Sequence, residues 1–586
     1  MKDRSILLIM RKIKNFSFAD RMQKEVYFNR TFYTGITGTI KCAYSRNKQL
    51  QLWSFAAVFL LMTLCMMTSF YPLRPSSDFF FHYNRLYIIV QAIENGTLPF
   101  YMDNNVLDGY GYFTKAFYPD LLLLPFAAIG YFAGIYTAYL SLIFTMTYLC
   151  GLFTYIVMNK IYRSAFAAAV GSILFSFAAY RLHDLYFRCA LGESISFTWM
   201  PLVLWGVYEI VKGDYKKWYI LTLACFLLIN THVISTIIIF IVTLFFLAFN
   251  YSAFVKEPAR LKYLALSGIT ALIISSYFVF PLLEQLFSNR FWMSSKPFFD
   301  GEMGLNWRYT VYAIFTSFNH DSNVSIGGIL IAMACLRFFI NGRNLPQLKS
   351  LDFGVLLACI CLLLCYYRFW NILPSSFTHI IQFPWRFFPA ATFLLSVAGG
   401  VYASQLLAKS RIYRKILFFL FIAAVSYYGM GYGMDGLYKQ DIRTAPAVTA
   451  DFPKTVVGAE YLPEKVPSLS YLKERGFVVS YRRSDTETGC LQRQDNGLSF
   501  SLKTAQKDAF ELPLIYYKGY RAELNGEEIE VGESKNGLLE ITAAKSGEVK
   551  VYYAGTAIQK ISVWLTLLSL LALLGYIFAR AFLRKQ

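Results

Sequence analysis

The sequence predicts a polytopic α-helical membrane protein with about twelve transmembrane helices and a β-sandwich domain before the last helix. Three observations predict this fold class. Hydrophobic residues make up 56% of the chain and charged residues only 16%, whereas about a quarter of a soluble domain is charged. The apolar residues fall in separate runs of roughly 16 to 23 residues, the length that crosses a hydrocarbon core. Lys and Arg are concentrated in the short loops between these runs.

The N-terminal segment 1–51 is basic, and we expect it in the cytoplasm. Residues 1–50 carry 11 Lys and Arg against 3 Asp and Glu. The apolar run that follows, Gln51–Tyr71, is too long for a signal-peptide core and lacks a small-residue cleavage site, so it predicts a retained first helix. Ile6–Tyr27 mixes basic and apolar residues and is either a segment lying on the inner leaflet or a solvated tail.

The distribution of the +20 net charge predicts topology and argues against a nucleic-acid partner. Beyond the N-terminal segment, the excess lies in short loops between apolar runs, which is the positive-inside pattern. Placing these loops inside makes both termini cytoplasmic. We interpret residues 120–130 as a half-helix entering from the outer face, because a full crossing would move every later basic loop outside. The predicted spans lie near 52–71, 134–158, 165–180, 196–211, 217–232, 233–250, 261–283, 325–341, 353–370, 389–408, 415–433 and 559–580.

Two long segments lie outside in this topology, and both bear on function. The loop 72–133 is the candidate catalytic loop of a transmembrane core that spans 52–433. The polar segment 434–558 is long enough for its own core and is followed by the last helix, 559–580, and a cytoplasmic tail, 581–586. Alternating residues predict strands, and Asn525-Gly526 predicts a tight hairpin. The predicted strands lie at 476–481, 498–502, 520–529, 538–543 and 549–553.

The same topology collects ionisable side chains at the outer face. Mid-span positions, where proton relays and ion pathways place charges, hold almost none. The ten cysteines give no disulfide framework, and we expect Cys361 and Cys365 to pack within an apolar helix. The outer-face set comprises His82, His183, His232, His320, His379, Asp78, Glu94, Asp103, Asp108, Asp184, Glu193, Glu284 and Asp321.

The first outer motif combines a carboxylate, an imidazole and a guanidinium. If the segment is helical, Asp78, His82 and Arg85 lie one turn apart on one face. Such a group can act as a general base beside a phosphate clamp. The alternative is an interfacial helix whose ion pair is already satisfied.

Two further motifs combine aromatic residues with glycine or proline residues, which shape the backbone. Gly109, Gly111 and Tyr118 suit a tight loop with rings that either stack on a sugar or anchor at the headgroups. Gln382 and Arg386 lie in Gln-Phe-Pro-Trp-Arg, where an arginine in an aromatic setting suits either a lipid-linked phosphate or an interfacial anchor.

Charged residues also gather between two spans near 181–193. Burying charged groups near the headgroups costs free energy unless the groups pair with each other or bind a ligand. This applies to Arg181, Arg188 and Glu193. A purely structural network is the alternative. His232 ends a span, where a capped histidine with satisfied hydrogen bonds is more common than a ligand-binding one.

In this order, the motifs resemble the bacterial YfhO-type membrane proteins, also called pyruvoyl-tetrahydropterin-synthase-related, a name that implies no pterin chemistry. The resemblance covers the chain from about residue 70 to the last span. It implies a bacterial plasma-membrane protein similar to GT-C glycosyltransferases, which use a polyprenyl-phosphate-linked donor and an acidic residue in the first outer loop. The motifs are Asp78-x3-His82-x2-Arg85, Gly109-x-Gly111 with Tyr118-Pro119, Tyr180-Arg181 with Arg188-x3-Gly192-Glu193, Thr231-His232, Gln382-Phe-Pro-Trp-Arg386 and Glu460-Tyr-Leu-Pro463.

By this resemblance, Asp78 is the catalytic carboxylate of a transferase at the outer face. His82 either orients the acceptor hydroxyl or shares the charge, and Glu193 positions the arginines, while the acceptor is a cell-surface polymer or glycolipid. Asp120 departs from the pattern, which has an apolar residue or a second proline there. Metal dependence stays open. Phosphate and substrate binding fall to Arg85, Arg181, Arg188, His232, Gln382, Arg386, Gly109, Gly111 and Tyr118.

Three other functions remain possible from the sequence. The same site could belong to a ligase that moves a preassembled teichoic-acid-like chain from a polyprenyl pyrophosphate to a glycolipid anchor. A lipid or polymer transporter is the second, although such proteins usually show repeats and polar breaks at the membrane midplane, and the sequence shows neither. A non-enzymatic envelope scaffold is the third, and it leaves the outer-face cluster unexplained.

Overall fold

The structure is a computed structural model, and the chain divides into two compact units, Met1–Leu61 and Met62–Gln586. Most of the basic segment 1–51, including Ile6–Tyr27, lies outside the described residues, as do His320 and Asp321. The described residues are 47–70, 78–98, 102–103, 106–295, 311, 324–340, 346–439, 459–494 and 497–583.

The described chain is mostly helical, as the sequence predicts. Helices satisfy their backbone polar groups internally, which apolar surroundings require. The helices are α1 Lys48–Thr68, α2 Phe79–Glu94, α3 Thr114–Phe117, α4 Leu124–Ala133, α5 Ile135–Tyr162, α6 Ala165–Ser176, α7 Ala179–His183, α8 Leu191–Val211, α9 Tyr219–Ile229, α10 Val233–Phe249, α11 Tyr251–Lys256, α12 Ala259–Ile274, α13 Ser276–Ser288, α14 Trp292–Ser295, α15 Gly328–Cys335, α16 Pro346–Leu364, α17 Tyr367–Trp370, α18 Ser375–Ile381, α19 Phe388–Leu406, α20 Ile412–Lys439, α21 Leu469–Arg475 and α22 Ala557–Leu583.

Among the described residues, seven helical segments are long and apolar enough to cross a membrane. An eighth is possible if α12 and α13, bent by 76° at Ser275, form one span. Three other predicted spans correspond to the shorter helices α9, α10 and α15; Asn230 and Thr231, for example, end the helix predicted at 217–232 after only 11 residues. The span predicted at 353–370 corresponds to α16, which has 19 residues. The count of twelve therefore stays a prediction. The segment predicted as a half-helix contains the short helix α4, which Gly134 separates from α5.

The helices around α8 pack closely and hold polar residues at both ends. A Cβ on Gly400 of α19 would lie 2.6 Å from the carbonyl oxygen of Ala167 in α6, so these backbones touch, as in small-residue membrane packing. Helix α8 carries Glu193 near one end and Glu209 near the other, about 24 Å apart at 1.5 Å per residue.

The basic loops meet one another at the Glu209 end of α8. Lys160 approaches the Glu209 carboxylate at 3.4 Å, and Lys217 approaches it at 3.9 Å. Arg260 donates to the carbonyl oxygen of Ile210, and Arg580 lies 3.3 Å from Asp214. These loops, which the charge pattern assigns to one side of the membrane, therefore lie together at one end of the bundle.

The segment before the last helix forms two antiparallel sheets over one hydrophobic core, in agreement with the predicted β-sandwich. Residues Asn525 and Gly526 both have positive φ and form the predicted hairpin turn. Predicted strands at 498–502, 538–543 and 549–553 are confirmed. The strands are β1 Glu487–Thr488, β2 Gln492–Gln494, β3 Gly497–Lys503, β5 Tyr520–Leu524, β6 Glu527–Ile529 and β9 Gly547–Tyr553 in the larger sheet, and β4 Asp508–Ile515, β7 Val531–Glu533 and β8 Leu538–Ala543 in the smaller.

The strand predicted at Gly476–Tyr481 is wrong. Gly476 has φ +69° and ends helix α21, and the Arg475 side chain donates to the carbonyl oxygen of Val478. Backbone groups that a strand would use are therefore engaged locally, and only Ser480 forms an isolated bridge, to Glu511.

Part of the first outer loop is built into the β domain. Tyr110 and Phe113 belong to its hydrophobic core, and the Tyr110 carbonyl accepts a hydrogen bond from the Ile515 amide at 3.0 Å. The Phe113 ring meets that of Tyr553 edge to face at 5.1 Å. The β domain thereby fixes the position of the next residues along the chain, among them Tyr118.

Candidate active site

The start of α2 is joined to the loop that precedes α8. The Asp78 amide donates to the carbonyl oxygen of Arg188 at 2.9 Å, and the Asp78 carbonyl accepts from the His82 amide at 3.2 Å. Two of the predicted motifs, separated by a hundred residues of sequence, are thus brought together through the backbone of Asp78.

Arg85 forms an ion pair with Asp120. Its guanidinium also donates to the carbonyl oxygen of Pro119 at 2.7 Å and lies 4.1 Å from the centre of the Tyr118 ring. The carboxylate that departs from the family pattern is therefore the partner of Arg85. An ion pair of the kind expected under the alternative interpretation of the first motif is therefore present, and its carboxylate is that of Asp120.

Arg85 also determines the tautomer of His82. Nη1 of Arg85 lies 3.2 Å from Nδ1 of His82. Because arginine only donates, Nδ1 must accept, and the ring proton is on Nε2. Burial lowers the pKa of His82 well below its ordinary value, with the charge of Arg85 acting in the same direction, so the ring is neutral.

Arg188 is the centre of a buried polar network. Its Nη1 lies 2.7 Å from Asp184, 3.0 Å from Glu193 and 3.0 Å from the Tyr180 hydroxyl. The Tyr180 hydroxyl donates to the other Glu193 oxygen at 2.6 Å. Burial alone lowers the pKa of Arg188, but the charges of Glu193 and Asp184 outweigh it and raise that pKa well above its ordinary value.

Gln382 and Arg386 share a strained turn. Gln382 has φ +68° and ψ −49°, and the Phe383 amide donates to the Ile381 carbonyl at 2.8 Å, which defines the rare classic γ-turn. Nη1 of Arg386 donates to the same carbonyl at 3.2 Å, and its guanidinium lies 5.0 Å from the Phe383 ring centre. Nε of Arg386 is buried without a hydrogen-bond partner among the described residues. Such strain and unsatisfied donors concentrate at functional sites.

His232 has the same tautomer as His82. Its Nδ1 accepts from the Ser235 amide at 3.3 Å and caps helix α10, which leaves the proton on Nε2. Its ring centre lies 5.9 Å from that of Tyr118, and the His82 ring lies 5.4 Å from Tyr118 on the same measure. The Tyr118 ring is therefore close to both histidine rings.

Gly192 makes room for Tyr118. A Cβ on Gly192 would clash with the Tyr118 hydroxyl oxygen, so any side chain there would displace the ring. The pattern Gly192-Glu193 in the sequence carries this requirement, although Gly192 was not among the predicted site residues.

Glu460 is a further acid that the predicted site omits. Burial raises its pKa to about 6, with the Asp78 charge acting in the same direction and that of Arg386 opposing it. The carbonyl of Glu460 accepts from the Met293 amide at 2.9 Å, which fixes the segment. In the sequence, Glu460 is marked only by the Glu460-Tyr-Leu-Pro463 motif. That motif contributes to the family resemblance, but no role in the site was predicted for Glu460.

Several predicted residues lie elsewhere. Arg181 is buried in the bundle, donating to the Ser176 carbonyl at 2.8 Å and to Thr147 at 3.0 Å. Gly109 and Gly111 belong to the turn that packs on the β domain, where a Cβ on Gly109 would lie 2.6 Å from Arg493. Within the described part of the chain, no group of three or more His, Cys, Asp and Glu is arranged to hold a metal ion.

The assembled cluster offers two complementary kinds of chemistry. Arg188, Arg386 and the Nε2–H groups of His82 and His232 are donors suited to phosphate oxygens. The carboxylate of Asp78 can accept a proton beside them.

Comparisons with known proteins agree with the predicted family. The family described as "Bacterial membrane protein YfhO" matches residues 104–443, more than half of the chain. This range holds Tyr118, Arg188, Glu193 and Arg386. A protein of Lactococcus lactis subsp. cremoris (strain MG1363), described as uncharacterized, is 22% identical over 91% of this chain and 96% of its own length.

The solved structure of the arabinofuranosyltransferase AftD from Mycobacteria also shows a likeness. It is 14% identical, with a TM-score of 0.42, and the match covers 68% of this chain but 27% of that enzyme. A likeness this loose does not bear on activity. The family match carries the assignment, and the chain belongs to the YfhO family of bacterial membrane proteins.

Proposed function

We propose that this protein is a transferase at the outer membrane face that moves a glycosyl unit from a polyprenyl-phosphate-linked donor to a cell-surface polymer or glycolipid, as in teichoic acid biogenesis. The convergence of five distant chain segments on one polar cluster carries the proposal. Asp78, Tyr118, Arg188, His232 and Arg386 come from different segments and lie within electrostatic range of one another at the end of the bundle opposite the basic loops.

The donor phosphate lies between Arg188 and Arg386. Glu193 and Asp184 hold the Arg188 side chain through Nη1 alone, and the buried Nε of Arg386 lacks a protein partner among the described residues. Neutral His82 and His232 add Nε2–H donors. Arg85 is occupied by Asp120, so it supports His82 and Tyr118 instead of binding the phosphate directly.

Asp78 is the general base for the acceptor hydroxyl. The hydroxyl oxygen forms the new bond to the anomeric carbon, the bond from that carbon to the phosphate oxygen breaks, and the hydroxyl proton passes to the Asp78 carboxylate. The electron pair of the broken bond remains on the phosphate, which departs as polyprenyl phosphate while the arginines stabilise its charge.

Deletion of the gene, followed by analysis of surface glycolipids and polymers, tests this proposal. Loss of one sugar decoration, restored by wild type but not by Asp78→Asn, is the expected result. Loss of the whole lipid-anchored polymer with wall-bound polymer retained would instead identify the ligase.

A transporter is the second candidate, because the 76° break between α12 and α13 resembles the broken helices of transporters. Purified protein in vesicles separates the two functions. The proposal expects sugar release from a polyprenyl-phosphate donor when acceptor is on the same side of the membrane. Movement of intact donor across the bilayer without sugar transfer would overturn it.

A further inference from the structure

A cavity of about 230 Å³ lies at the basic-loop end of the bundle, away from the proposed transfer site. Five helices, α5, α8, α10, α16 and α19, surround it. Its wall is mostly apolar, formed by residues such as Val207, Phe246, Phe393, Leu394 and Val397. Helix α8 separates Lys212, beside the cavity, from Glu193 by about 28 Å at 1.5 Å per residue.

The polar residues that line the cavity lie at helix ends. Lys212 follows the end of α8, Asn250 follows the end of α10, and Ser350 lies near the start of α16. Nζ of Lys212 donates to the Ser350 hydroxyl at 3.1 Å. The cavity is thus apolar along the helices and polar at one mouth, as an amphiphile requires.

The mouth has an ammonium group without a carboxylate partner. Within the described residues, Lys212 forms no ion pair, because the nearby acids are engaged by other cations. Glu209 lies against Lys160 and Lys217, and Asp214 lies against Arg580. The charge at the mouth is therefore complementary to an anion.

We propose that this cavity binds one acyl chain of an anionic phospholipid, with the lipid phosphate at Lys212 and Ser350. The apolar wall excludes a soluble anion as the main occupant, and the basic mouth favours an anionic headgroup over a zwitterionic one. The basic loops around it place the headgroup at the membrane surface. The site is independent of the proposed transfer reaction.

Lipid retention by the purified full chain tests this site. Native mass spectrometry in detergent would compare binding of phosphatidylglycerol and phosphatidylcholine as probes. We expect wild type to retain one phosphatidylglycerol about fivefold better than phosphatidylcholine, the preference of about one lysine near the headgroups. Lys212→Gln should remove this preference, and Lys256→Gln, at an exposed position in another basic loop, should keep it.

A variant whose cavity is filled distinguishes lipid bound inside the cavity from lipid bound around the helices. A Cβ on Gly354 would lie 3.3 Å from Phe246 and 3.7 Å from Leu394, so Gly354→Leu fills the cavity. We expect it to abolish retention of both lipids; Val207→Phe is the second variant if Gly354→Leu fails to fold. Unchanged retention in a folded filled variant, or an unchanged preference in Lys212→Gln, would overturn the proposal.

Discussion

Helix α8 carries two buried glutamates in opposite settings. Glu209 receives hydrogen bonds from the Trp205 indole and the Asp214 amide, both close in sequence, and two lysines lie nearby. Glu193 receives them from Arg188 and Tyr180, which belong to a larger cluster drawn from distant segments. Glu209 accepts hydrogen bonds from residues close to it in sequence, whereas Glu193 holds residues of a cluster that several distant segments form.

The two settings also differ in the buried polar atoms that lack a hydrogen-bond partner. Near Glu193, Nε of Arg386 and Oδ2 of Asp184 are buried without partners among the described residues, whereas Nη1 of Arg580 is the corresponding atom near Glu209. Native proteins leave few such atoms unsatisfied. Unsatisfied polar atoms gathered around one glutamate therefore indicate a ligand site, and a self-sufficient glutamate indicates structure.

Accessibility should give the largest contrast between the two ends, because the predicted topology places them on opposite sides of the membrane. In intact cells, an impermeant thiol reagent should label native Cys490, an exposed residue of the β domain. Cysteines replacing exposed Lys216 or Lys256 in a Cys-reduced background should stay unlabelled until the cells are opened. Labelling of both loop cysteines in intact cells would contradict the predicted topology.

Asp78→Asn should reduce turnover at least about a hundredfold while abundance stays normal, because it removes the proposed general base but preserves the shape of the side chain. Product formed per folded molecule is the measurement. A variant that keeps more than about a tenth of wild-type activity would move the base to Glu193, Asp108 or His82.

Asp120→Asn is the matched control for Asp78→Asn. It breaks the buried pair with Arg85, so it should lower abundance or thermal stability. Combining Asp120→Asn with Arg85→Ala should recover part of that loss, because neither charge is then left unpaired.

Arg386→Lys should reduce turnover about 10- to 100-fold although the charge is kept. Lysine offers a point charge, whereas the planar guanidinium can hold the Ile381 carbonyl and a phosphate oxygen together. Arg337→Lys, at an arginine paired with Asp352 elsewhere in the chain, should keep activity per folded molecule. Near-normal product formation by Arg386→Lys would make Arg386 an interfacial anchor.

The two glutamates of α8 provide the next contrast. Glu193→Gln should reduce activity about tenfold or more, because Arg188 loses a charged partner that holds it. Glu209→Gln should lower stability by about 1–2 kcal/mol and leave activity per folded molecule unchanged, since its lysine partners are partly exposed. Thermal unfolding and turnover, measured on both variants, separate these outcomes. Equal losses of activity would remove the distinction between the two ends.

The sequence was most informative where the physical signal is local. The alternation at 538–543 and the Asn525-Gly526 turn predict strands and a hairpin that the structure confirms. At Gly476–Tyr481 the same alternation predicts a strand that does not form, because the Arg475 side chain donates to the Val478 carbonyl, a backbone group that a strand would need. Contacts between a side chain and nearby backbone leave no trace in the hydrophobic periodicity.

Predicting the site required information that periodicity does not carry. The motifs around Asp78, Arg188 and Arg386 could be recognised separately, and their convergence depends on helix packing. The pairing of Arg85 with Asp120 could not be predicted, because the nearer candidate in sequence was Asp78. Glu460 lies in a loop before the β strands, and only the fold brings its charge within range of Asp78.

Glu460 should give the smallest contrast, and its sign follows from its raised pKa. A glutamate in an unfolded chain has a pKa of about 4.3, whereas Glu460 in the folded protein has a pKa of about 6. The protonated form therefore stabilises the fold below the unfolded pKa, and this contribution is lost as the pH rises through about 6. Above that pH, the ionised group costs about 1–2 kcal/mol of stability.

Glu460→Gln should therefore stabilise the protein more at pH 8 than at pH 5, because the substitution removes a charge that is buried only at the higher pH. Thermal unfolding midpoints of wild type and variant at both pH values measure this difference. Exposed Glu464, four residues away, provides the control: Glu464→Gln should shift both midpoints equally. If Glu460→Gln also shifts them equally, Glu460 titrates as an ordinary surface acid, and the β domain contributes no second carboxyl group to the Asp78 cluster.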